Sequence, residues 1–364
     1  AAAYAKAQDL QIAGRVEDAI TQYQETLRLD PELGRAYSGL AAQYTNLGRT
    51  ADAEASYELA LARLDRMTDR EKYRTRGSYY LFARKPELAA QEFTALVKAY
   101  PADTSGLSNL ALASFYQRDM AQALEQGRRA AAIFPNNVLR QSNVALYAMY
   151  AGQFEDAIAA SLEVHELNPT HLKAFVARAL SQLALGRFDQ ARATYEALGQ
   201  TSAAGASFAA IGLADLAAAQ GRFTDAVAAL TAGIAADDAA GFATPAATKR
   251  VALAEVLLVQ GQPAAARREA EAAAEAVESG NLRAAAGLVL AAAGAAGPAE
   301  RLAGTLALSL QNEHLVAQLD DEVLVTTPDL IMVLEHDTGE PITTEALRYG
   351  QRVRVIPAPS DERW

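Results

Sequence analysis

The chain has 364 residues, with 33 Lys and Arg against 44 Asp and Glu for a net charge of -11, 51% apolar residues and no cysteine. The absence of cysteine excludes disulfides, thiolate metal sites and a thiol nucleophile, and the acidic balance argues against the phosphate attraction on which nucleic-acid binding usually rests. A single core rarely serves more than about 250–300 residues, so a chain of this length is several domains or an elongated repeat array. The longest charge-free apolar stretch, 284–299, is interrupted by Pro298 and several glycines, so no membrane span or signal peptide is expected. Ala1 in first position reads as a processed product or a partial chain.

From the first residues onward the sequence repeats. A glycine opens an amphipathic run at Gly14, Gly48, Gly152, Gly186, Gly221 and Gly261, and Arg84 and Arg118 stand at the same phase, with successive spacings of 34, 36, 34, 34, 34, 35 and 40 residues. Five residues after each of these eight turns stands Ala19, Ala53, Ala89, Ala123, Ala157, Ala191, Ala226 or Ala266. Seven residues before each stands Ala7, Ala41, Gly77, Ala111, Ala145, Ala179, Ala214 or Ala254. Two helices joined by a short turn approach closely only where both present small side chains, and these two columns supply the crossing. Tyr23, Tyr57, Phe93 and Tyr195, nine residues after their turns, are placed to fill the gap between hairpins, and Pro31, Pro101, Pro135 and Pro169 end the second helix at a constant phase.

This pattern resembles the tetratricopeptide repeat, a helix-turn-helix unit of 34 residues, over roughly residues 1–280. Its best stretches are Gly14-Arg15-Val16-Glu17-Asp18-Ala19-Ile20 with Leu29-Asp30-Pro31, and Gly152-Gln153-Phe154-Glu155-Asp156-Ala157-Ile158 with Leu167-Asn168-Pro169. The segment Leu64 to Lys72 followed by Tyr79-Tyr80 resembles a linker in the repeat regions of bacterial serine/threonine kinases and signalling regulators, although the chain has no kinase glycine loop, catalytic-loop Asp motif or Asp-Phe-Gly. After residue 200 the pattern loosens. Thr201 to Gly205 and Asp237 to Thr244 are expected to lengthen the connections, the helix faces become almost wholly alanine, and 281–304 is a ninth, degenerate pair or a capping helix.

From about Leu306 the periodicity becomes that of strands: Glu322–Thr326, Leu330–Leu334 and Arg352–Ile356. Asp337-Thr338-Gly339 and Pro341 supply turns, and Thr344 is placed to cap a short helical turn through Leu347 that Gly350 ends. The motifs Gln311-Asn312-Glu313, Thr327-Pro328-Asp329-Leu330-Ile331, Thr338-Gly339-Glu340-Pro341-Ile342-Thr343-Thr344-Glu345 and Arg348-Tyr349-Gly350-Gln351-Arg352-Val353 resemble the tail of the hydantoinase-like S-methyl-thiohydantoin desulfurases. The resemblance covers about 55 residues and brings no catalytic residue with it.

The four histidines are His165, His171, His314 and His336. His165 and His171 lie six apart on either side of Pro169 and so form no helical i, i+4 ligand pair, while His314 and His336 are expected to be exposed at strand ends. No Ser/His/Asp order, phosphate loop or paired carboxylates stand out, so neither a catalytic site nor a metal or cofactor is expected. What remains is surface. In a right-handed stack of such hairpins the first helices line a concave groove, which here is expected to show Asn109, Leu112, Phe115, Tyr116, Asn143, Leu146, Met149 and Tyr150, continued by Leu180 and Leu183. Any single member of an apolar stripe is also a natural core residue. The asparagines resemble the family position that clamps a ligand's backbone amides, and that phase is common in non-binding repeats too. Arg74, Arg76 and Lys173 are candidates to pair with an acidic peptide. Ser105, Ser108 and Ser142 stand where a chaperone-type carboxylate clamp needs Lys and Arg, so no acidic chaperone tail is expected.

The sequence therefore predicts an all-α, right-handed tetratricopeptide-repeat superhelical solenoid of about eight repeats over 1–305, degenerate after 205, followed by a small β-rich module over 306–364. Its expected function is that of a non-enzymatic scaffold binding a protein or peptide, with a cytoplasmic location favoured. Two alternatives are a regulatory region of a bacterial kinase or regulator and a fragment of a hydantoinase-like enzyme.

Overall fold

A computed structural model describes residues 2–277, 279–299 and 301–302, together with the backbone of four strands. The chain divides into two compact units, Ala1–Ser181 and Gln182–Trp364. The first contains α1 (Ala2–Ile12), α2 (Val16–Leu29), α3 (Gly34–Asn46), α4 (Thr50–Leu61), α5 (Asp69–Phe82), α6 (Pro86–Ala99), α7 (Thr104–Tyr116), α8 (Met120–Ile133), α9 (Val138–Tyr150), α10 (Phe154–Leu167) and most of α11 (Leu172–Ala184). The second continues with α12 (Phe188–Gly199), α13 (Ala203–Ala219), α14 (Phe223–Ala240), α15 (Ala243–Val259), α16 (Pro263–Ala276) and α17 (Gly280–Ala292). From α1 to α10 each helix packs on the next, and the first helices of successive hairpins also meet, α1 with α3, α3 with α5 and α5 with α7.

The two small-residue columns are the crossings. All eight alanines five residues after the turns are fully buried, and the alanines seven before them are no more than 1% exposed, with Gly77 buried beside them. At Gly77 a Cβ would stand 2.6 Å from the Phe93 ring, so nothing larger than hydrogen fits there without displacing the aromatic core. Tyr23, Tyr57, Phe93 and Tyr195 are all buried between hairpins. The prolines fall immediately after the capping residues Asp30, Tyr100, Phe134 and Asn168, where the chain has already left the helix.

All eight turn residues take the left-handed backbone conformation, including Arg84 at φ 54° and Arg118 at φ 61°. A residue with a Cβ costs about 1–2 kcal/mol there, so these two turns hold their shape against local strain because the flanking helices are already closed. A ninth turn appears at Gly294, φ 73°, with Gly287 seven residues before it and Ala299, 2% exposed, five after. Helix resumes over 296–299. The described residues of 281–304 thus carry the same turn phase as the hairpins before them.

The expected longer connections after residue 200 are corrected. The added residues extend the helices instead: α13, α14 and α15 have 17, 18 and 17 residues, where the helices of the first unit have 11 to 14. Alanine-rich sequence with high helix propensity keeps winding until Gly241, in the left-handed conformation, stops α14. The extra turn is tied by a buried ion pair between Lys249 Nζ of α15 and Asp237 Oδ2 of α14, 2.5 Å apart, with Ser207 of α13 accepting a second hydrogen bond from the ammonium at 2.9 Å.

The segment Leu64–Lys72 folds as a 3-10 turn, Leu64–Arg66, followed by Thr68 and Glu71, which cap α5 reciprocally. Beyond α17, strands β1 (Val316–Leu319), β2 (Glu322–Thr327), β3 (Leu330–His336) and β4 (Val353–Pro357) pair antiparallel in sequence order, with Leu324 opposite Val333 and Leu334 opposite Val355. The expected turns at Asp337–Pro341, the Thr344–Gly350 element and His314 lie outside the described residues.

Asp103 ties two elements together. Its buried carboxylate caps α7 by accepting from Gly106 N at 2.8 Å, and it accepts from Arg70 Nε at 2.6 Å and from Arg74 Nη2 at 2.6 Å, both on α5. Burial pushes this carboxyl up, but the hydrogen bonds from Arg74, Gly106 and Arg70 outweigh it and hold the group below its ordinary value.

Two outcomes follow from this packing. Ala157→Phe is expected to destabilise the protein by roughly 1–3 kcal/mol through overpacking, seen as a lower urea midpoint with an unchanged helical spectrum in buffer. Asp103→Ala is expected to cost about 2–4 kcal/mol at pH 7, from the lost cap and the two unanswered arginines. Because the folded pKa of Asp103 is lowered, its contribution is complete above the unfolded value of about 3.9 and disappears as the pH falls through the folded one. Urea midpoints should thus fall less steeply below pH 4 in Asp103→Asn than in the parent, and parallel curves would refute the linkage.

Candidate functional site

On an α-helix, residues spaced 0, 4, 7 and 11 apart fall within a narrow stripe, because about 3.6 residues complete a turn. Along α7 that stripe is Ser105, Asn109, Leu112 and Tyr116, and along α9 it is Leu139, Asn143, Leu146 and Tyr150. Their burial follows the geometry. Tyr116 and Tyr150 are 52% and 53% exposed, Ser105 is exposed, and Asn109, Leu112, Asn143 and Leu146 are half-buried. The opposite sides of these helices, with Leu107, Leu110, Val144 and Ala148, are buried.

The aromatic end of this surface is a continuous cluster. Phe115 meets Tyr150 edge-on at a centroid distance of 5.1 Å and Tyr147 at 5.6 Å, and Tyr116 lies 6.0 Å from Phe115. Tyr147 is buried beneath, where burial and the neighbouring Tyr116 push its phenol up to about 12. Phe115 is half-buried in the seam between the helices, and the two exposed tyrosines flank it. Neither Asn109 nor Asn143 makes a side-chain hydrogen bond to another described residue. Each amide therefore offers one donor and one acceptor edge beside an apolar stripe.

Met149 is a correction to the expected groove. It is 8% exposed and packs in the core with Val144, Ala145, Tyr147 and Ala157. The reason is angular, since Met149 stands about 100° round the helix from Tyr150 and so points between the hairpins. The proposed basic partners for an acidic peptide are corrected in part. Arg74 is engaged by Asp103, and Arg76 forms a two-pronged pair with Glu92 at 2.8 Å on each arm. Lys173 is exposed and forms no ion pair among the described residues.

Sequence reasoning passed over Leu139, which is 59% exposed and opens the α9 stripe. Its signal was available, because it stands thirteen residues before Gly152, as Lys173 does before Gly186 and Phe208 before Gly221. The column of Leu112 and Leu146 continues in the second unit as Asp215 on α13 and Glu255 on α15. Both carboxylates reach solvent, yet the crowding of their face raises Asp215 to about 6, and Glu255 rises through burial and the Asp215 charge. Among the described residues no group of three His, Asp or Glu is arranged to hold a metal, and no helix is long and apolar enough to cross a membrane.

Comparison with known proteins gives the same architecture. The chain is similar over 79% of its length to a chain of the Cut9–Hcn1 hetero-tetramer of the APC/C, at 17% identity and a TM-score of 0.54, and spans 54% of that chain. A tetratricopeptide repeat protein from Parabacteroides merdae matches over 74% of this chain and 98% of its own, at 15% identity and a TM-score of 0.52. No curated protein matches the sequence. Residues 242–364 match the S-Me-THD-like C-terminal domain, which confirms the resemblance of the tail and carries it back to α15, inside the helical array. The tetratricopeptide-repeat profile matches three times, over residues 4–66, 74–138 and 145–207, more than half of the sequence, and the chain belongs to the tetratricopeptide-repeat family.

Proposed function

We propose that the chain is a protein-interaction scaffold that holds an extended segment of a partner across α7 and α9. The observation that carries this reading is the pairing, twice at the same register, of an unengaged asparagine amide with an exposed tyrosine on one stripe. An extended segment exposes unpaired backbone amides, which Asn109 and Asn143 bind through both edges of their own. Leu112, Leu139, Leu146, Tyr116 and Tyr150 receive its apolar side chains, with Phe115 as the floor between the two tyrosines. Affinity of this kind is moderate and only weakly salt-dependent, since no charged pair is needed on this stripe.

Titration calorimetry with a partner recovered by pull-down tests the reading. Asn143→Ala is expected to cost about 1–3 kcal/mol of binding by leaving the partner's polar groups unpaired, and Tyr150→Ala a similar amount as aromatic anchors do. Neither variant should move the unfolding midpoint appreciably, because Tyr150 is exposed and the Asn143 amide has no partner to lose. Unchanged affinity in both would overturn the assignment.

The match over residues 242–364 favours a second reading, a fragment of a hydantoinase-like enzyme in which the repeats serve as its interaction region. That reading requires turnover of an S-methyl-thiohydantoin substrate, which the scaffold reading does not.

A further inference from the structure

The end of α10 and the start of α11 carry a second cluster, which the α7–α9 stripe does not use. The His165 ring lies tilted against Phe175 with centroids 4.1 Å apart, and the Arg178 guanidinium lies over the same Phe175 ring at 5.3 Å. His171, in the connection between the helices, accepts through its backbone a hydrogen bond from His165, and Lys173 acts on His171. Arg178, His171 and Lys173 are the charged groups that bear on the two imidazoles, and every one of them is a base.

This concentration is unusual for a chain of net charge -11. Several partly buried arginines of the first unit are answered by carboxylates, Arg35 by Glu71, Arg74 by Asp103 and Arg76 by Glu92, while Arg140 over the Phe134 ring is not. Among the described residues no carboxylate pairs with Arg178 or Lys173 either. Burial alone lowers the Arg178 pKa, and burial with the surrounding positive charge lowers both histidines. Arg178 Nε, His165 Nε2 and His171 Nε2 are buried atoms without a hydrogen-bond partner. Orphaned polar atoms gathered at one place call for water or an ion that satisfies them. The three side chains are only half-buried as a whole and Lys173 is exposed, so the cluster is open to a ligand.

We propose that His165, His171, Lys173 and Arg178 form a binding site for a phosphate-type oxyanion. Arg178 and Lys173 supply two full positive charges, matching the about -1.5 to -2 of a phosphate monoester at pH 7, and the guanidinium fork suits phosphate oxygens. The imidazoles add donors that become stronger as the bound anion favours their protonation. Free phosphate and a phosphorylated side chain of a docked protein share this chemistry.

The test is titration of the full chain with inorganic phosphate, O-phosphoserine and acetate at constant ionic strength, followed by the imidazole NMR signals of His165 and His171. Saturable shifts with phosphate at millimolar concentration are expected, with both histidine pKa values rising in the bound state and acetate at least tenfold weaker. Arg178→Gln should weaken binding at least tenfold. Lys173→Gln, at an exposed position that leaves the fold intact, should weaken it several-fold and decides the matter if Arg178→Gln fails to fold. Tighter binding of O-phosphoserine than of phosphate supports the site with a phosphorylated residue as its ligand, and the reverse order supports it with free phosphate. Non-saturating shifts, an equal response to acetate, or unchanged affinity in Lys173→Gln would overturn the proposal.

Discussion

The closeness of paired helices is the constraint on which everything else in this chain depends. A helix of ordinary side chains keeps its neighbour about 8–10 Å away. Alanine, or glycine at Gly77, at the crossing positions of the hairpins lets the backbones approach closely, and the larger Tyr23, Tyr57, Phe93 and Tyr195 then occupy the gaps that remain between hairpins. The arrangement is unforgiving in one direction. Where Gly77 faces Phe93 even a methyl group has no room, while the turns tolerate arginine in a left-handed conformation because the packed helices on both sides override the local preference.

Because the crossings use small residues on fixed sides of each helix, the remaining side is left free, and the same side in every repeat. That regularity makes a repeating exposed stripe out of a packing solution. Asn109 and Asn143, Leu112 and Leu146, and Tyr116 and Tyr150 differ by one repeat each, so whatever one helix offers is offered again by the next first helix. The chemistry of a column is nevertheless free to change along the array, as it does when the leucine position becomes Asp215 and Glu255. A solenoid thus separates the residues that hold it together from those that distinguish one binding surface from another.

Charge is distributed in the same spirit. Asp103 and the Lys249–Asp237 pair are buried and answered, Asp103 joining α5 to α7 and Lys249 joining α15 to α14. Such pairs contribute specificity of register more than net stability, since burying each charge costs nearly as much as the attraction returns. The cluster around Phe175 departs from that rule, since among the described residues no carboxylate pairs with Arg178.

The repeat period, the crossing alanines, the turn phase and the proline stops were legible in the sequence because each depends on local conformation or on side-chain size, and both recur every 34 or so residues whatever surrounds them. The outline of the α7–α9 stripe was legible for the same reason, as Tyr116 and Tyr150 show. Its limits were not. Met149 differs from Tyr150 by a single step along the helix, and only the packing of α9 against its neighbours sends one into the core and leaves the other outside. The fate of Arg74 and Arg76 depended on Asp103, 29 residues away from Arg74, and on Glu92 across the hairpin. Likewise the pairing of Lys249 with Asp237, which ties the turn added to the helices after residue 200, arose only when α14 and α15 packed together. Periodicity within one helix specifies which residues share a face, but which face is covered, and which charges meet, is settled only when the other helices arrive.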